Sequence, residues 1–220
     1  MERVAALRVA DRIVVATDSE EIAQRVREAG GEAELTDASH PSGTDRVAEV
    51  SARATRDGFD VVLNVQGDEP FVSGAAVRGA LERVRAGGFP LGTAAARADP
   101  AVLLRPDVVK VVAADDGAAM YFSRAAVPYL RDERDRATRD ARVLHHVGVY
   151  VYTPEALARW VALPPHPLEA IERLEQLRPL AAGLRMGVAV IDGPLRGGID
   201  TEDDLVLANR EWATFTVSGN

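Results

Sequence analysis

Apolar residues fall into short β-branched runs, and between these runs they recur every three or four positions. That alternation predicts strands and helices in turn. Arg12-Ile13-Val14-Val15-Ala16 reads as a buried strand, Asp18 to Glu21 as a capping box, and Ile22, Val26 and Ala29 as one face of a helix closed by Gly30-Gly31. Extended structure resumes at 32–36, a second amphipathic helix covers 44–54, and 60–66 form another buried strand. A third helix spans 73–85 and ends at Gly87-Gly88, and a strand follows at 91–98. Such a rhythm specifies an α/β fold of Rossmann-like type, a mainly parallel sheet with helices on both faces.

The rhythm then changes. Segments 108–113 and 118–123 flank Asp115-Asp116-Gly117, a hairpin signal, so an antiparallel lobe is inserted at about 100–152. Within it, 131–142 mixes charges of both signs with few apolar residues and predicts a mobile loop. The strand at 143–152 alternates, placing His146, Gly148, Tyr150 and Tyr152 on one face. A single helix at 167–180 carries Glu169, Glu172, Glu175 and Gln176; a strand at 186–191 and a last helix from Thr201 complete the chain. No internal repeat or low-complexity tract interrupts it.

Composition narrows the function classes. The chain has 220 residues, 47% hydrophobic and 27% charged, which suits a single domain, 1–220, with a substantial core. A formal net charge of -8 argues against general binding to nucleic acid or to an anionic membrane. No cysteine is present, which removes disulfides, thiolate metal sites and a cysteine nucleophile, and fits a cytoplasmic location. No apolar run reaches the length of a membrane span, and Met1-Glu2-Arg3 does not lead into a signal-peptide core.

Candidate chemistry concentrates where the strand at 60–66 ends, in Asn64-Val65-Gln66-Gly67-Asp68-Glu69-Pro70. Ligands of open α/β sheets bind outside the carboxyl ends of strands, and Asp68 stands at that edge, suited to a hard divalent cation. Gly-Asp-Glu-Pro is equally the composition of a solvated turn. Asp200, just before Thr201, either shares a cation with Asp68 or is a helix-start carboxylate. His145 and His146 point to opposite faces and cannot chelate together. Ser42, Thr44 and Arg46 bring small donors and a cation to a helix start, a geometry for phosphate or for ordinary capping. Glu175 and Gln176 read locally as an exposed helix face.

Taken in order, six segments resemble one family. They are Val14-Val15-Ala16-Thr17-Asp18, His40-Pro41-Ser42-Gly43-Thr44-Asp45-Arg46, residues 64–70, Tyr121-Phe122-Ser123-Arg124, His146-Val147-Gly148-Val149-Tyr150, and Leu174-Glu175-Gln176-Leu177-Arg178 with 198–205. Over 4–210 the chain resembles the bacterial CMP-Kdo synthetases, the 3-deoxy-manno-octulosonate cytidylyltransferases, and the 67–70 and 174–178 segments favour them over the sialic-acid synthetases. The resemblance implies a nucleotidyltransferase sheet and cytidylyl transfer from CTP to Kdo, releasing pyrophosphate for lipopolysaccharide biosynthesis. It implies that Asp68 and Asp200 bind Mg²⁺, that Gln66, Arg124, His146, Tyr150, Glu175 and Gln176 form the sugar pocket, and that Ser42, Thr44 and Arg46 face CTP. It further implies that the inserted lobe makes a homodimer. Other 2-keto sugar acids, 8-amino-Kdo or a sialic acid, are the alternative acceptors, and an inactive fragment or binding homologue is the alternative role.

One departure is specific. Family members open with a strand and a Gly-rich basic loop that wraps the CTP phosphates, and Met1-Glu2-Arg3-Val4 corresponds to the helix after that loop. A βαβ unit needs about 30 or more residues. The chain as written is therefore read as N-terminally truncated, by a late start codon, as a fragment or as a degenerate copy, and is expected to turn over CTP and Kdo poorly or not at all.

Overall fold

The computed structural model describes residues 1–54, 58–193, 195, 198–199, 201–212 and 215. Its elements follow the hydrophobic pattern: α1 (Glu2–Leu7), β1 (Val14–Thr17), α2 (Glu20–Glu28), β2 (Glu32–Leu35), α3 (Gly43–Ala54), β3 (Val62–Val65), α4 (Gly74–Arg85) and β4 (Leu91–Arg97). Then come the hairpin β5 (Lys110–Ala113) and β6 (Ala119–Ser123), α5 (Arg136–Asp140), β7 (Leu144–Tyr152), α6 (Pro154–Ala162), α7 (Pro167–Glu172), α8 (Leu177–Ala181), β8 (Met186–Ile191) and α9 (Glu202–Trp212).

The α/β class holds, with strands in two groups among the described residues. β1 and β2 pair in parallel, and a second sheet has β3 and β4 on opposite edges of β7, with β8 parallel to β4. β3, β4 and β8 thus share one direction and β7 opposes them. The reason is connectivity: β7 is reached through the hairpin excursion rather than through a helical crossover, which is what parallel neighbours require. The hairpin joins the sheet where Lys110 pairs with His145. β7, part of the segment read as the inserted lobe, runs through the middle of the main sheet.

Both faces of β7 are buried, and its alternation divides the core. Tyr150 and Tyr152 pack with Leu157 and Trp160 of α6 and with Leu174 and Leu177. Val147, Val149 and Val151 face Ala76, Val77, Ala80 and Val84 of α4. The β4 register skips Gly148 and Val149 between Val147 and Tyr150, so the bulge preserves which side each residue faces. Trp160 and Tyr152 are the largest fully buried side chains, and their rings meet at 5.6 Å.

Three local readings are corrected. Ser19, not Asp18, caps α2, accepting from the Ile22 amide, while Asp18 pairs with Arg46 at 2.9 Å. Residues 131–142 hold a 3₁₀ turn and α5 rather than a mobile loop; Asp132 caps the turn by accepting from the Arg134 amide at 2.9 Å. The helix expected over 167–180 is broken. Arg173 adopts φ 55°, ending α7, and α8 restarts at Leu177, which leaves Leu174-Glu175-Gln176 as a linker turned inward.

Candidate active site

The carboxyl end of β3 turns sharply. The Glu69 amide donates to the Gln66 carbonyl at 3.2 Å and the Val72 amide to the Glu69 carbonyl at 3.3 Å, leaving Asp68 exposed at the tip. The C-terminal segment meets this tip, where the Ile199 amide donates to the Asp68 carbonyl at 2.9 Å. A Cβ on Gly198 would stand 3.3 Å from both the Asp68 carbonyl and the Glu69 carboxylate, so glycine permits the close approach. Asp200 itself lies outside the described residues, as does Gly197; the residue before Asp200 is bonded to Asp68.

The start of α3 lies against the same strand end. A Cβ on Gly43 would be 3.4 Å from Gln66 Oε1, so the Gln66 side chain lies along the first turn of α3. Ser42 Oγ donates to Asp45 Oδ2 at 2.6 Å and accepts from the Asp45 amide, a capping arrangement. Arg46 is held by Asp18 and by Thr36 Oγ1, clamping α3 to the ends of β1 and β2. Ser42 and Arg46 thus each have an intramolecular partner.

Thr44 leads inward. Its hydroxyl donates to Glu175 Oε1 at 2.9 Å, across 131 residues of sequence. Burial pushes the Glu175 carboxyl above the ordinary glutamate range, with the Thr44 and Ser42 hydroxyls opposing. Thr44 also bonds Tyr152, whose hydroxyl accepts from Asn64 Nδ2 at 3.4 Å. Asn64, Tyr152, Thr44 and Glu175 therefore form one buried polar chain from β3 to the inward-turned linker. Tyr150 sits beside it, its hydroxyl pushed well upward by burial and by the nearby Glu175. Gln176, read as an exposed helix residue, is 2% exposed.

His146 is buried in the sheet. Thr93 donates its single proton to the Val149 carbonyl at 2.8 Å, so the His146 Nε2–H donates to Thr93 Oγ1 at 2.9 Å. Its ring packs between Phe122 and Tyr150. Burial, aided by neighbouring His145, pushes its pKa down to about 3, and the ring is neutral.

Arg124 leaves β6 and is fastened by its backbone amide to Glu172 Oε2 at 2.9 Å, by Nε to the Glu172 carbonyl at 2.8 Å and by Nη1 to the Pro106 carbonyl at 3.0 Å. Ser123 Oγ donates to the other Glu172 oxygen at 2.7 Å. Sequence reasoning missed Glu172 and Lys110. Lys110, fully buried, donates to the carbonyls of Arg105, Val108 and Arg124 and so shapes the same corner; burial lowers its pKa. A lysine at the first position of a hairpin strand is the only sequence signal for it.

The structure thus brings Gln66, Ser42, Thr44, Tyr150 and Glu175 to one region at the carboxyl end of β3, with Asp68 at its rim. Arg124 stands on the β6–α7 side, and His146 supports the sheet beneath Tyr150. The fold, too, has precedent. The Cytidylyltransferase family pattern matches residues 1–186. A 3-deoxy-manno-octulosonate cytidylyltransferase of Gemmatimonas aurantiaca is 58% identical over 211 residues, 96% of this chain and 81% of that protein. One from Xanthomonas euvesicatoria is 43% identical, covering 90% of this chain and 79% of its own length. The solved structure of a CMP:2-keto-3-deoxy-manno-octonic acid synthetase complexed with CTP superposes with TM-score 0.85 at 34% identity, covering 97% of this chain and 85% of that one. A 4-diphosphocytidyl-2C-methyl-D-erythritol synthase of Anaerococcus prevotii, at TM-score 0.61 and 16% identity, shares the fold alone.

Proposed function

The chain belongs to the 3-deoxy-manno-octulosonate cytidylyltransferases, and from that premise we propose how its residues carry the transfer of a cytidylyl group from CTP to Kdo. The reaction gives CMP-Kdo and pyrophosphate, an activated sugar for lipopolysaccharide assembly. The hydrogen bond from the Ile199 amide to the Asp68 carbonyl carries the reading, because it fastens the segment bearing Asp200 to the tip bearing Asp68.

Two carboxylates are an all-oxygen donor set, which suits Mg²⁺ completed by phosphate and water oxygens. Asp68 and Asp200 would hold the cation between them. When bound, Mg²⁺ neutralises charge on the α-phosphate. The remaining work is positioning. Gln66, Tyr150 and Gln176 offer amide and hydroxyl groups to the sugar, the Arg124 guanidinium suits its carboxylate, and Glu175, held by Thr44, accepts from a sugar hydroxyl. His146 acts through Tyr150 rather than on the sugar. Ser42, Thr44 and Arg46 order the first turn of α3 against which the cytidine lies. Exposed Leu104, Met120 and Tyr129, in and beside the hairpin, suit a homodimer contact, and the protein works in the cytoplasm on soluble substrates.

Pyrophosphate release with CTP and Mg²⁺ tests the reading when Kdo, 8-amino-Kdo and a sialic acid compete. The measurement is made on the chain and on the chain joined ahead of Met1 to a Gly-rich basic loop. Preference for Kdo supports the reading; preference for another acceptor, or no turnover by either protein, contradicts it.

A further inference from the structure

Of the 26 lysine and arginine residues, all but one are arginine. The exception, Lys110, has no exposed surface, less than any arginine among the described residues. A chain that meets every other need for a cation with arginine thus keeps its lone ammonium in its most enclosed basic position. The surroundings give the reason. Lys110 stands opposite Ser123 in the β5–β6 hairpin, and Nζ donates to the carbonyls of Arg105 at 2.9 Å, Val108 at 2.7 Å and Arg124. Three acceptors converging on one atom call for three N–H donors on one nitrogen, which an ammonium has and the planar fork of arginine spreads apart. A neutral amine has one proton too few.

The three carbonyls belong to two segments. Arg105 and Val108 bracket a turn, closed by the Val108 amide donating to the Arg105 carbonyl at 3.3 Å, and the Pro106 carbonyl of that turn accepts from Arg124 Nη1 at 3.0 Å. Arg124 follows Ser123, the last residue of β6, so its carbonyl has left the hairpin ladder. Lys110 therefore grips both the main chain from which the Arg124 side chain grows and the turn on which its guanidinium rests. Glu172 completes the fixture from the other side, through the Arg124 amide and Nε. Nη2 bonds nothing among the described residues and is left for a carboxylate.

We propose that Lys110 is a positioning residue for the sugar acid: its ammonium, touching no substrate, fixes the Arg124 guanidinium in the orientation that receives the carboxylate. The proposal rests on the reading of Arg124 as the carboxylate's partner. A guanidinium held in advance loses less freedom on binding, so bonds inside the hairpin become affinity for the ligand.

Because the chain has no cysteine, Lys110→Cys introduces a unique thiol. Unfolded, that variant is alkylated with bromoethylamine or with bromopropane and then refolded, giving side chains of equal length that end in an ammonium or in a methyl group. Kdo binding is read by calorimetry against wild type refolded in the same way. The aminoethyl protein should match the wild type, and the propyl protein should bind Kdo about ten-fold more weakly. In an Arg124→Ala background the two alkylated proteins should bind equally, because Lys110 acts through Arg124. Proton exchange at Arg124 Nε, read by NMR without ligand, should be about ten-fold faster with the propyl group. In the wild type, isotope at the lysine Nζ gives a single ammonium signal, which should shift as Kdo saturates the site. Equal Kdo affinity of the two alkylated proteins, a difference that survives Arg124→Ala, or an ammonium signal unmoved at saturation overturns the inference. If no protein binds Kdo, wild type included, the sugar-pocket reading fails instead, and the exchange at Arg124 Nε alone decides: faster with the propyl group supports the hold of Lys110 on Arg124, equal overturns it.

Discussion

Acidification should weaken this fold through His146. The ring is 8% exposed and neutral, with its pKa pushed down to about 3 from an ordinary 6.5. Folded protein binds fewer protons there than unfolded protein, so the stability present above pH 6.5 is lost as pH falls toward 3. Between pH 7 and pH 5 the unfolded ring protonates and the folded one does not, a loss of about 2 kcal/mol at 1.36 kcal/mol per pKa unit. That is a large part of the 5–15 kcal/mol, roughly, that a domain possesses. Carboxylates add their own pH dependence, so the reading is a difference: urea unfolding of the wild type and of His146→Gln at both pH values. Glutamine has no titrating group and can still donate to Thr93 Oγ1. Its fixed packing cost enters at both pH values and cancels. The gap between the two proteins should shrink by about 2 kcal/mol on going to pH 5. A gap unchanged within about 0.5 kcal/mol would refute the buried, neutral state of His146.

Other outcomes follow from the buried contacts. Lys110→Met keeps the bulk but strands three carbonyls, costing about 3 kcal/mol in chemical denaturation; a cost under about 1 kcal/mol would place water on those carbonyls instead. Thr44→Val removes the donor to Glu175, whose carboxyl is already raised by burial. The raised pKa means stability is lost as pH rises through the glutamate range, so the Tm deficit of Thr44→Val should be larger at pH 8 than at pH 5, and equal deficits would count against the bond. Glu172→Gln loosens Ser123 and Arg124 and should raise the KM for the sugar acid about ten-fold, near 1.4 kcal/mol, leaving the KM for CTP in place; equal changes in both would point to general unfolding.

Much of the architecture was legible because apolar periodicity records burial directly: β8 spans Met186–Ile191 as the alternation and β-branching of that run predict. The limits are equally physical. The expected helix at 167–180 has good helix formers up to Arg178, but Pro179 is unsuited to a helix interior; the break at Arg173 places it in the first turn of α8, and packing buries Leu174, Gln176 and Leu177 between the two pieces. Glu175 consequently looked like a surface residue until the fold brought Thr44 to it. Asp18 and Ser19 are both good caps, and the competition was decided by Arg46, far away in sequence, which takes Asp18. Glu172 and Lys110 left little local signal because their partners, the Ser123 hydroxyl and several backbone groups, lie outside their own elements. The strand end marked Asp68 as an exposed edge carboxylate without choosing between a ligand and a turn, and its contact with the 198–199 segment is a hydrogen bond between distant parts of the chain.

Mn²⁺ in place of Mg²⁺ gives the most direct test of the paired-carboxylate site, because its electron paramagnetic resonance reports binding without turnover. In the presence of CTP the wild type should bind Mn²⁺, and Asp68→Asn and Asp200→Asn should each weaken that binding about ten-fold or more, with the double variant no worse than about either alone. Affinity unchanged in both single variants would contradict a cation held between Asp68 and Asp200.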